Sequence, residues 1–340
     1  MLITVCGIAV VDIIAADLPR VANPGELILA PIQVCVGGHA CNVSINLMQI
    51  GLAKKELSVI ISVGQDPFGD FLEKSLKENG AVTHIHRTKT STSKDLILVV
   101  KAEDRRFHVD IGANMELDSD HLWKALQADR PYLFYIGGLG MLNKIDDQLA
   151  QICKKAKQLG IIVFADVVAP HGKGWDFVIP AFKWIDIFHC NDLEAKKIAE
   201  ETNLWTAVRK IADFGAKVVL VTKGGCGLVS KVPSAEVEMP ALSVPVVDPT
   251  GAGDAFCAGI LFQLSQEPYF KILRDEGEIS SLTSTHWKKM LMYGSACGAA
   301  CCKAVGTTTS VRPEYIERLL REQGGEISRM AKIRNEVKCS

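Results

Sequence analysis

Residues 247–256 read VDPTGAGDAF, and this stretch decides how the rest of the chain is interpreted. An apolar run ends there, small residues predict a tight turn, and a helix is predicted over 252–264. A helix that starts after such a turn has N–H groups without partners, and its dipole makes them attractive to anions. The glycines have no side chains, so a phosphoryl group can approach the backbone closely. The predicted anion site consists of the amides of Gly251, Ala252 and Gly253.

Asp254 follows in the first turn of this helix. A carboxylate beside an anion site can accept the proton of an alcohol that attacks phosphorus. Asp is also common in the first turn of ordinary helices, and GxGD alone favours that interpretation. The longer string around it is much rarer by chance, so the sequence predicts Asp254 as a catalytic base.

The composition excludes several classes of function. The chain has 340 residues, 48% hydrophobic and 23% charged, with a formal net charge of -1. This length suits one large α/β domain, alone or with a small appendage. A nucleic-acid partner would need a basic excess, so none is expected.

No membrane segment and no secretory signal are expected. The apolar stretches 57–63 and 161–169 are too short for a bilayer, and Asp12 interrupts the N-terminal apolar run. The eleven cysteines include no CxxC pair, and most lie in apolar segments, which is typical of reduced core thiols. A cytoplasmic location is therefore predicted.

Strand-like and helix-like patterns alternate along most of the chain. Such alternation predicts an α/β fold with a mostly parallel sheet covered by helices on both faces. The predicted strands are 2–8, 57–63, 132–136, 161–165, 185–190 and 218–222. The predicted helices are 41–51, 67–79, 146–159, 192–201, 252–264, 287–304 and 313–323.

Two segments, 25–36 and 93–109, show period-2 alternation without intervening helices. They predict either a small separate sheet that acts as a lid or a pair of edge hairpins. On the first interpretation, 13–36 and 93–109 form the lid. The large domain then comprises 1–12, 37–92 and 110–340. Residues 274–284 are predicted as a solvated loop and 332–338 as a frayed tail.

The stretch 251–254 and its surroundings, DPTGAGDAFCAG, resemble the C-terminal signature of the ribokinase-like (PfkB) carbohydrate kinases. Residues 37–44, GGHACNVS, resemble the N-terminal glycine-pair signature of that family. The resemblance covers essentially the whole chain. It implies a three-layer α/β/α fold with a small β-sheet lid. It also implies ATP-dependent phosphorylation of a hydroxymethyl group on a sugar or sugar-like substrate, with Mg²⁺.

The resemblance also implies which residues bind the sugar. A carboxylate, an amide and bare backbone N–H groups are suited to hold hydroxyl groups. His39 replaces the usual Lys of ribokinases, and it is expected either to contact a sugar hydroxyl or to face the lid surface. Asp12 is expected to bind hydroxyls, with turn capping as the alternative. The implied sugar-binding residues are Asp12, Gly37, Gly38, His39 and Asn42.

Further positions match the nucleotide and metal sites of the family. Asn191 and Glu194 resemble an N-x-x-E motif for phosphate oxygens and magnesium-bound water, and the same pair fits a helix capping box. The implied nucleotide-binding residues are Asn191, Thr222, Gly224, Gly227, Gly253 and Ser295. Potassium activation is a further hypothesis, and its implied ligands are Asp248, Thr250, Cys301, Gly306 and Ser310.

The substrate stays open between several classes. Ribokinases usually carry a carboxylate where this chain has residues 136–139, IGGL, which argues against ribose. A nucleoside kinase is the main alternative, followed by a sugar-phosphate kinase and a non-catalytic sugar-binding relative. The candidate cations for a sugar phosphate are Arg87, Lys89, Lys94, Arg105 and Arg106. A homodimer through the lid is expected from the apolar residues Leu27, Leu29 and Ile32.

Overall fold

The structure is a computed structural model that describes residues 1–101, 103 and 105–335. A large sheet forms its centre, because apolar runs such as Leu57–Gly64 are buried along their whole length. Neighbouring strands are parallel from β5 to β11 in the sheet order, and β12 to β14 add an antiparallel edge. The large-sheet strands are β1 Ile3–Gly7, β4 Leu57–Gly64, β5 Val82–Thr88, β8 Leu133–Leu139, β9 Ile162–Val167, β10 Ile187–Asn191, β11 Val218–Thr222, β12 Leu228–Val232, β13 Ala235–Met239 and β14 Lys332–Asn335.

Helices cover both faces of this sheet. Successive strand residues point to opposite faces, so Val59 and Ile60 of β4 belong to two different apolar cores. The predicted three-layer α/β/α architecture is therefore confirmed. The helices are α1 His39–Gln49, α2 Pro67–Glu78, α3 Ser119–Asp129, α4 Lys144–Gln158, α5 Asp192–Ala199, α6 Leu204–Asp213, α7 Ala252–Leu264, α8 Tyr269–Glu276, α9 Ser284–Cys301 and α10 Pro313–Met330. None of these helices combines the length and apolar character that a bilayer crossing requires.

A second, four-stranded sheet, called the lid sheet below, stands apart from the large one. Its order is β3-β2-β6-β7, with β2 and β6 parallel and the outer pairs antiparallel. A separate small sheet was predicted, and it is present. The lid-sheet strands are β2 Val10–Leu18, β3 Ile32–Gly37, β6 Lys94–Val100 and β7 Arg106–Asp110.

The lid sheet begins earlier in the chain than the predicted boundary at residue 13. Gly7 ends β1 with a φ of 156°, and β2 starts at Val10 in the other sheet. Asp12 therefore lies inside β2 rather than directly after β1. Of the predicted strand 25–36, only Ile32–Gly37 is a strand, and 25–31 forms none.

Two predicted irregular segments are partly ordered. In 274–284, α8 continues to Glu276, and Ile279 and Leu282 of the following loop are buried, because these apolar side chains complete a core. In 332–338, Lys332–Asn335 forms β14 on the edge of β13, and 336–338 lie outside the described residues. The loop prediction is therefore wrong for the helical residues 274–276 and the two buried side chains, and the tail prediction is wrong for 332–335, whose partner strand is distant in the sequence.

Candidate active site

A cavity of about 490 Å³ lies between the lid sheet and the carboxyl ends of β1, β9 and β10. It is called the first cavity below. Both sequence signatures reach it, because α1 and α7 begin at its wall. The carboxyl edge of a parallel sheet is the usual place for a ligand in such folds. The predicted residues that line it are Asp12, Gly38, His39, Asn42, Asn191, Glu194, Thr222, Thr250, Gly251, Gly253 and Asp254.

Asp254 is fixed by a chain of two hydrogen bonds. Asn42 donates its Nδ2 hydrogen to Oδ2 of Asp254 over 2.8 Å, and Thr307 donates its hydroxyl to Oδ1 of Asn42 over 2.7 Å. The second bond fixes the orientation of the Asn42 amide. Burial raises the pKa of Asp254, with Asp166 adding to the effect and His39 and Asn42 opposing it.

The turn before α7 presents free amides. Gly251 has a φ of 78° at the N-cap, and a Cβ there would lie 2.7 Å from Cβ of Thr307, so only glycine fits. The Ala252 N–H donates to the carbonyl of Pro249 over 3.2 Å. Within the part of the chain that the structure describes, the N–H groups of Gly251, Gly253 and Asp254 have no acceptor. The free amides thus lie on both sides of Ala252, whose own N–H is used.

Asp12 faces the first cavity from the lid sheet. It is 6% exposed, and its carboxylate has no hydrogen-bond partner among the described residues. Burial raises its pKa to about 7, and the charges of Asp95, Asp254 and Asp248 contribute. Gly37 does not line the cavity. It lies against Asp12 instead, since a Cβ built on Gly37 would be 2.2 Å from Oδ2 of Asp12.

His39 lies in the cavity wall rather than on the outer surface. Its Nε2 is 4.0 Å from Oδ1 of Asp254, and its side chain is 17% exposed. The other ring nitrogen, Nδ1, is buried without a partner. Two positions were expected for His39, and the structure favours the one that faces the first cavity over the one on the lid surface.

A second cavity of about 720 Å³ adjoins the first and contains the predicted nucleotide residues of the β11–β12 turn and of α9. Thr222, Gly224, Gly227 and Ser295 all line it. Thr222 and Gly253 are the residues, among those described, that line both cavities. These two residues therefore mark where the two cavities meet.

Asn191 and Glu194 form a reciprocal capping box at the start of α5. Oδ1 of Asn191 accepts the Glu194 N–H, and Oε2 of Glu194 accepts the Asn191 N–H, both over 2.8 Å. Both residues also line the first cavity, and burial raises the pKa of Glu194. Glu194 has a second carboxylate oxygen that the box does not use, which fits a water bound to Mg²⁺.

The residues predicted for a monovalent cation meet near the start of α7, but their polar groups already form hydrogen bonds with one another and with neighbouring residues. Oδ1 of Asp248 accepts from Thr250 and lies 2.8 Å from Nη1 of Arg105. Oδ2 of Asp248 accepts the Gly306 N–H over 3.2 Å. The Ser310 hydroxyl donates to the carbonyls of Ala300 and Cys301 over 2.7 and 3.1 Å.

A buried dyad beside this site escaped sequence reasoning. Nδ1 of His189 is 2.9 Å from Oδ1 of Asp166, and the Tyr135 hydroxyl donates to Oδ2 over 2.8 Å. Burial opposes both charges, yet their mutual attraction lowers the pKa of Asp166 and raises that of His189. A signal existed, since Asp166 interrupts the apolar strand IVFADV and His189 interrupts the apolar start of IFHCN.

Comparison with known proteins identifies the family. The profile of the pfkB family carbohydrate kinases matches residues 2–314. The chain belongs to this family. The kinase is 28% identical over 290 residues to the probable fructokinase-6, chloroplastic, of Arabidopsis thaliana, covering 79% of this chain and 70% of that one. It is 23% identical over 318 residues to the ribokinase of Mus musculus, covering 91% of each.

Solved structures confirm the predicted ribokinase-like fold. A fructokinase with bound ATP from Xylella fastidiosa superposes on the kinase with a TM-score of 0.78 at 21% identity, covering 95% of this chain and 99% of that one. An Arabidopsis thaliana ribokinase complexed with ribose and ATP gives a TM-score of 0.74 at 21% identity, with 94% and 98% covered. The kinase is therefore an ATP-dependent phosphotransferase that acts on a sugar hydroxyl, as predicted.

Proposed function

We propose that the kinase phosphorylates a hydroxymethyl group of an unphosphorylated sugar or sugar-like molecule, with Asp254 as the base. The hydrogen bond from Asn42 to Asp254 carries this proposal, because it joins the two family signatures across 212 residues at the cavity wall. The free amide of Gly253 lies directly beside Asp254. A base and an anion site therefore adjoin the same cavity.

The proposed reaction follows from this arrangement. The sugar hydroxyl oxygen forms a bond to the γ-phosphorus while its proton passes to the Asp254 carboxylate. The bond from phosphorus to the bridging oxygen breaks, and its electron pair leaves with ADP. The amides of Gly253 and Asp254 receive the charge that develops on the transferred group. The alcohol loses its proton late, so the raised pKa of Asp254 is compatible with this role.

We assign the magnesium and phosphate contacts to Asn191 and Glu194. The unused oxygen of Glu194 would hold a water of the metal, and Asn191 would face the phosphate oxygens. When bound to ATP, Mg²⁺ supplies positive charge to the phosphate oxygens. The nucleotide itself would occupy the second cavity along the turn Thr222–Gly227, with Ser295 on the opposite wall.

The charges of the first cavity support an unphosphorylated substrate. Among its described lining residues there is no Lys or Arg, whereas Asp12 and Asp95 both face it. None of the candidate cations lines this cavity, and two of them are engaged elsewhere: Arg87 pairs with Asp70 and Lys94 with Asp110. A substrate phosphate would thus meet like charge, which argues against a sugar-phosphate kinase.

A nucleoside is the second candidate substrate. Phe107, Val109, Ile97 and Met141 line the first cavity together with the polar residues. An apolar wall of this kind suits the base of a nucleoside, while Asp12 and Asn42 hold the ribose hydroxyls. Activity on nucleosides in preference to free sugars would support this candidate.

Potassium activation remains a proposal with a specific competitor. The carboxylate of Asp248 suits a monovalent cation, but Arg105 already places positive charge beside it. We therefore expect K⁺ to raise turnover only if it binds beside the Asp248–Arg105 pair in addition to Arg105. Equal turnover in potassium, sodium and choline buffers would remove K⁺ from the site.

Exposed apolar residues near the lid sheet bear on the oligomeric state of the kinase. Leu27, Leu29 and Ile32 are 78%, 88% and 69% exposed near or on the lid sheet. We assign this apolar surface to a homodimer in which two lids meet.

The described cysteines are free, and a cytoplasmic location is proposed on that ground.

The decisive experiment is a substrate panel with ATP and Mg²⁺. ADP release is measured over sugars, sugar phosphates and nucleosides, and the position of the new phosphate is read by NMR. Phosphorylation of a hydroxymethyl group on an unphosphorylated compound is expected. If sugar phosphates were the better substrates, the charge argument for the first cavity would be refuted.

A further inference from the structure

Two carboxylates of the lid sheet lie side by side on the wall of the first cavity. Asp12 of β2 and Asp95 of β6 are direct partners in the parallel register of these strands, and both line the cavity. Neighbouring strands are about 4.8 Å apart, so the two side chains are immediate neighbours on one face of the sheet. They are 6% and 9% exposed, and like charges in such a cross-strand pair repel each other.

Most of the acceptor capacity of this pair is unused. Oδ1 of Asp95 accepts the His108 N–H over 3.2 Å. Among the described residues, no group donates to Oδ2 of Asp95 or to either carboxylate oxygen of Asp12. An ionised carboxylate offers about four acceptor sites, so a ligand in the cavity finds two carboxylates ready to accept hydrogen bonds.

The described Lys and Arg residues do not balance the charge of this pair, since none of them lines the first cavity. Lys94 directly precedes Asp95, but alternation along β6 turns it to the opposite face, where its Nζ is 3.0 Å from Oδ2 of Asp110. Arg105, at the start of β7, pairs with Asp248 instead. The lid sheet therefore presents two carboxylates to the cavity and directs its nearby cations elsewhere.

The other carboxylates of the first cavity have partners of their own. Oδ1 of Asp166 is 2.9 Å from Nδ1 of His189, and Oδ1 of Asp254 is 4.0 Å from Nε2 of His39. Glu194 belongs to the capping box of α5 and is assigned above to magnesium-bound water. The lid pair is thus the part of the lining whose negative charge has no assigned counterpart.

We propose that the substrate carries an ammonium group and that Asp12 and Asp95 bind it. This inference rests on the proposed function and deepens it by naming the substrate class, an amino sugar or a related amino alcohol. A neutral hydroxyl can donate to one carboxylate, but it leaves the repulsion within the pair unchanged. An ammonium group has three hydrogens and a positive charge, so it can bridge both carboxylates and offset that repulsion.

The position of the pair is compatible with the phosphoryl transfer. Asp12 and Asp95 belong to the lid sheet and Asp254 to α7, and all three line the same cavity. A substrate whose ammonium group contacts the lid can therefore direct its hydroxymethyl group to Asp254. The charge of Asp95 also contributes to the raised pKa of Asp12, and a bound cation would oppose that effect.

The test uses matched substrates with the wild-type kinase, ATP and Mg²⁺ at neutral pH. Hexoses and pentoses are compared with derivatives in which an amino group replaces each hydroxyl in turn, the hydroxymethyl group excepted. We expect kcat/KM of one amino derivative to exceed that of its parent by roughly 10- to 100-fold, mainly through KM, as for hydrogen bonds to charged groups. Calorimetry with a non-hydrolysable ATP analogue should show the same preference in Kd.

Asp95→Asn should reduce this preference by roughly tenfold, because one of the two charges is lost. The Asn side chain keeps an oxygen that can accept the His108 N–H, so the local structure of the lid is retained. Asp17→Asn is the matched control, since Asp17 lies on the same strand as Asp12 but is exposed. This control should show the wild-type preference.

The outcomes separate this inference from the kinase assignment. If the wild type preferred no amino derivative in KM or in Kd, the inference would be overturned, while phosphorylation of the parent sugars would uphold the proposed function. An undiminished preference in folded Asp95→Asn would overturn the role of the carboxylate pair. If neither the parents nor the derivatives were phosphorylated, the proposed function would fail, and the comparison of Kd values would still decide whether the pair binds an ammonium group.

Discussion

Nη1 of Arg105 lies 2.8 Å from Oδ1 of Asp248, and this ion pair joins the lid sheet to the turn before α7 across 143 residues. Arg105 directly precedes β7, and its side chain is 19% exposed, against 10% for Asp248. Asp248 also accepts hydrogen bonds from Thr250, next to the free amides. The position of the lid is therefore coupled directly to the anion site.

Replacing Arg105 by Gln should weaken sugar binding. The lid would lose its tie to the large domain, and we expect the sugar KM to rise roughly tenfold, equivalent to about 1.4 kcal/mol. Steady-state kinetics with a saturating ATP concentration measures this effect. Arg106→Gln is the matched control, because Arg106 pairs with the exposed Glu103 within the lid region. An equal effect of both variants would contradict a specific role for the Asp248 pair.

Asp254→Asn should lower kcat by roughly 10²- to 10⁴-fold, the range for loss of a general base. The affinity for ATP, measured by calorimetry, should change little, since the Asn side chain keeps the shape of the site. Asp147→Asn is a suitable control, because this carboxylate is also in the first turn of a helix, α4, but is exposed. Near-normal turnover of Asp254→Asn would remove Asp254 as the base.

The sugar KM should depend on pH through Asp12. Its pKa is raised to about 7, and the ionised carboxylate is the better acceptor for sugar hydroxyls. We therefore expect the KM to fall as pH rises from 6 to 8, by about tenfold per unit at most below the pKa. In Asp12→Asn the KM should be high and nearly independent of pH. A flat KM profile for the wild type would contradict this assignment.

The same residue should lower stability at neutral pH. The pKa of Asp12 rises from its ordinary 3.8 to about 7 on folding, so the folded state binds the extra proton between these values. Stability is thus lost as pH rises from about 4 to about 7, and the loss amounts to a few kcal/mol at most. Asp12→Asn should raise Tm at pH 8 relative to wild type and change it little at pH 4. A lower Tm of the variant at pH 8 would refute this.

Removal of 332–340 should destabilise the kinase. β14 pairs with β13 through four register positions from Ala235 to Glu238, and Ile333 packs on the apolar core. Its loss would leave β13 as an unpaired edge, which favours association between molecules. We expect a lower Tm and a tendency to aggregate on heating. Removal of 336–340 alone is the control, and an equal fall in Tm for both truncations would contradict the role of β14.

Most of the architecture followed from periodicity, and the failures share a cause. Long, buried strands such as β4 are plain in the sequence because their residues are mostly apolar. β1 and β2 lie in one mostly apolar N-terminal stretch, and the chain changes sheets between Gly7 and Val10. Such a division depends on tertiary packing, which a local pattern does not contain. β14 was missed because its pairing partner lies almost 100 residues away.

The site residues also fall into two groups: those that stand in sequence motifs and those that only the folded chain brings together. Asp254, Asn42 and three of the signature glycines (Gly38, Gly251 and Gly253) are brought by the structure to one cavity. Asp166 and His189 lie in separate strands without any motif, and their relation appears only when β9 and β10 are paired in register at these two residues. The residues predicted for a cation were implied by the family resemblance, but the engagement of Asp248 by Arg105 appears only in the folded chain.

The meeting of the two cavities at Thr222 and Gly253 has a consequence for inhibitor design. A compound that links an adenosine mimic to a sugar mimic would place its connector beside one small side chain and a glycine backbone. An anionic connector such as a phosphonate suits the free amide of Gly253 there. Selectivity among related enzymes would then depend on the connector rather than on either end group.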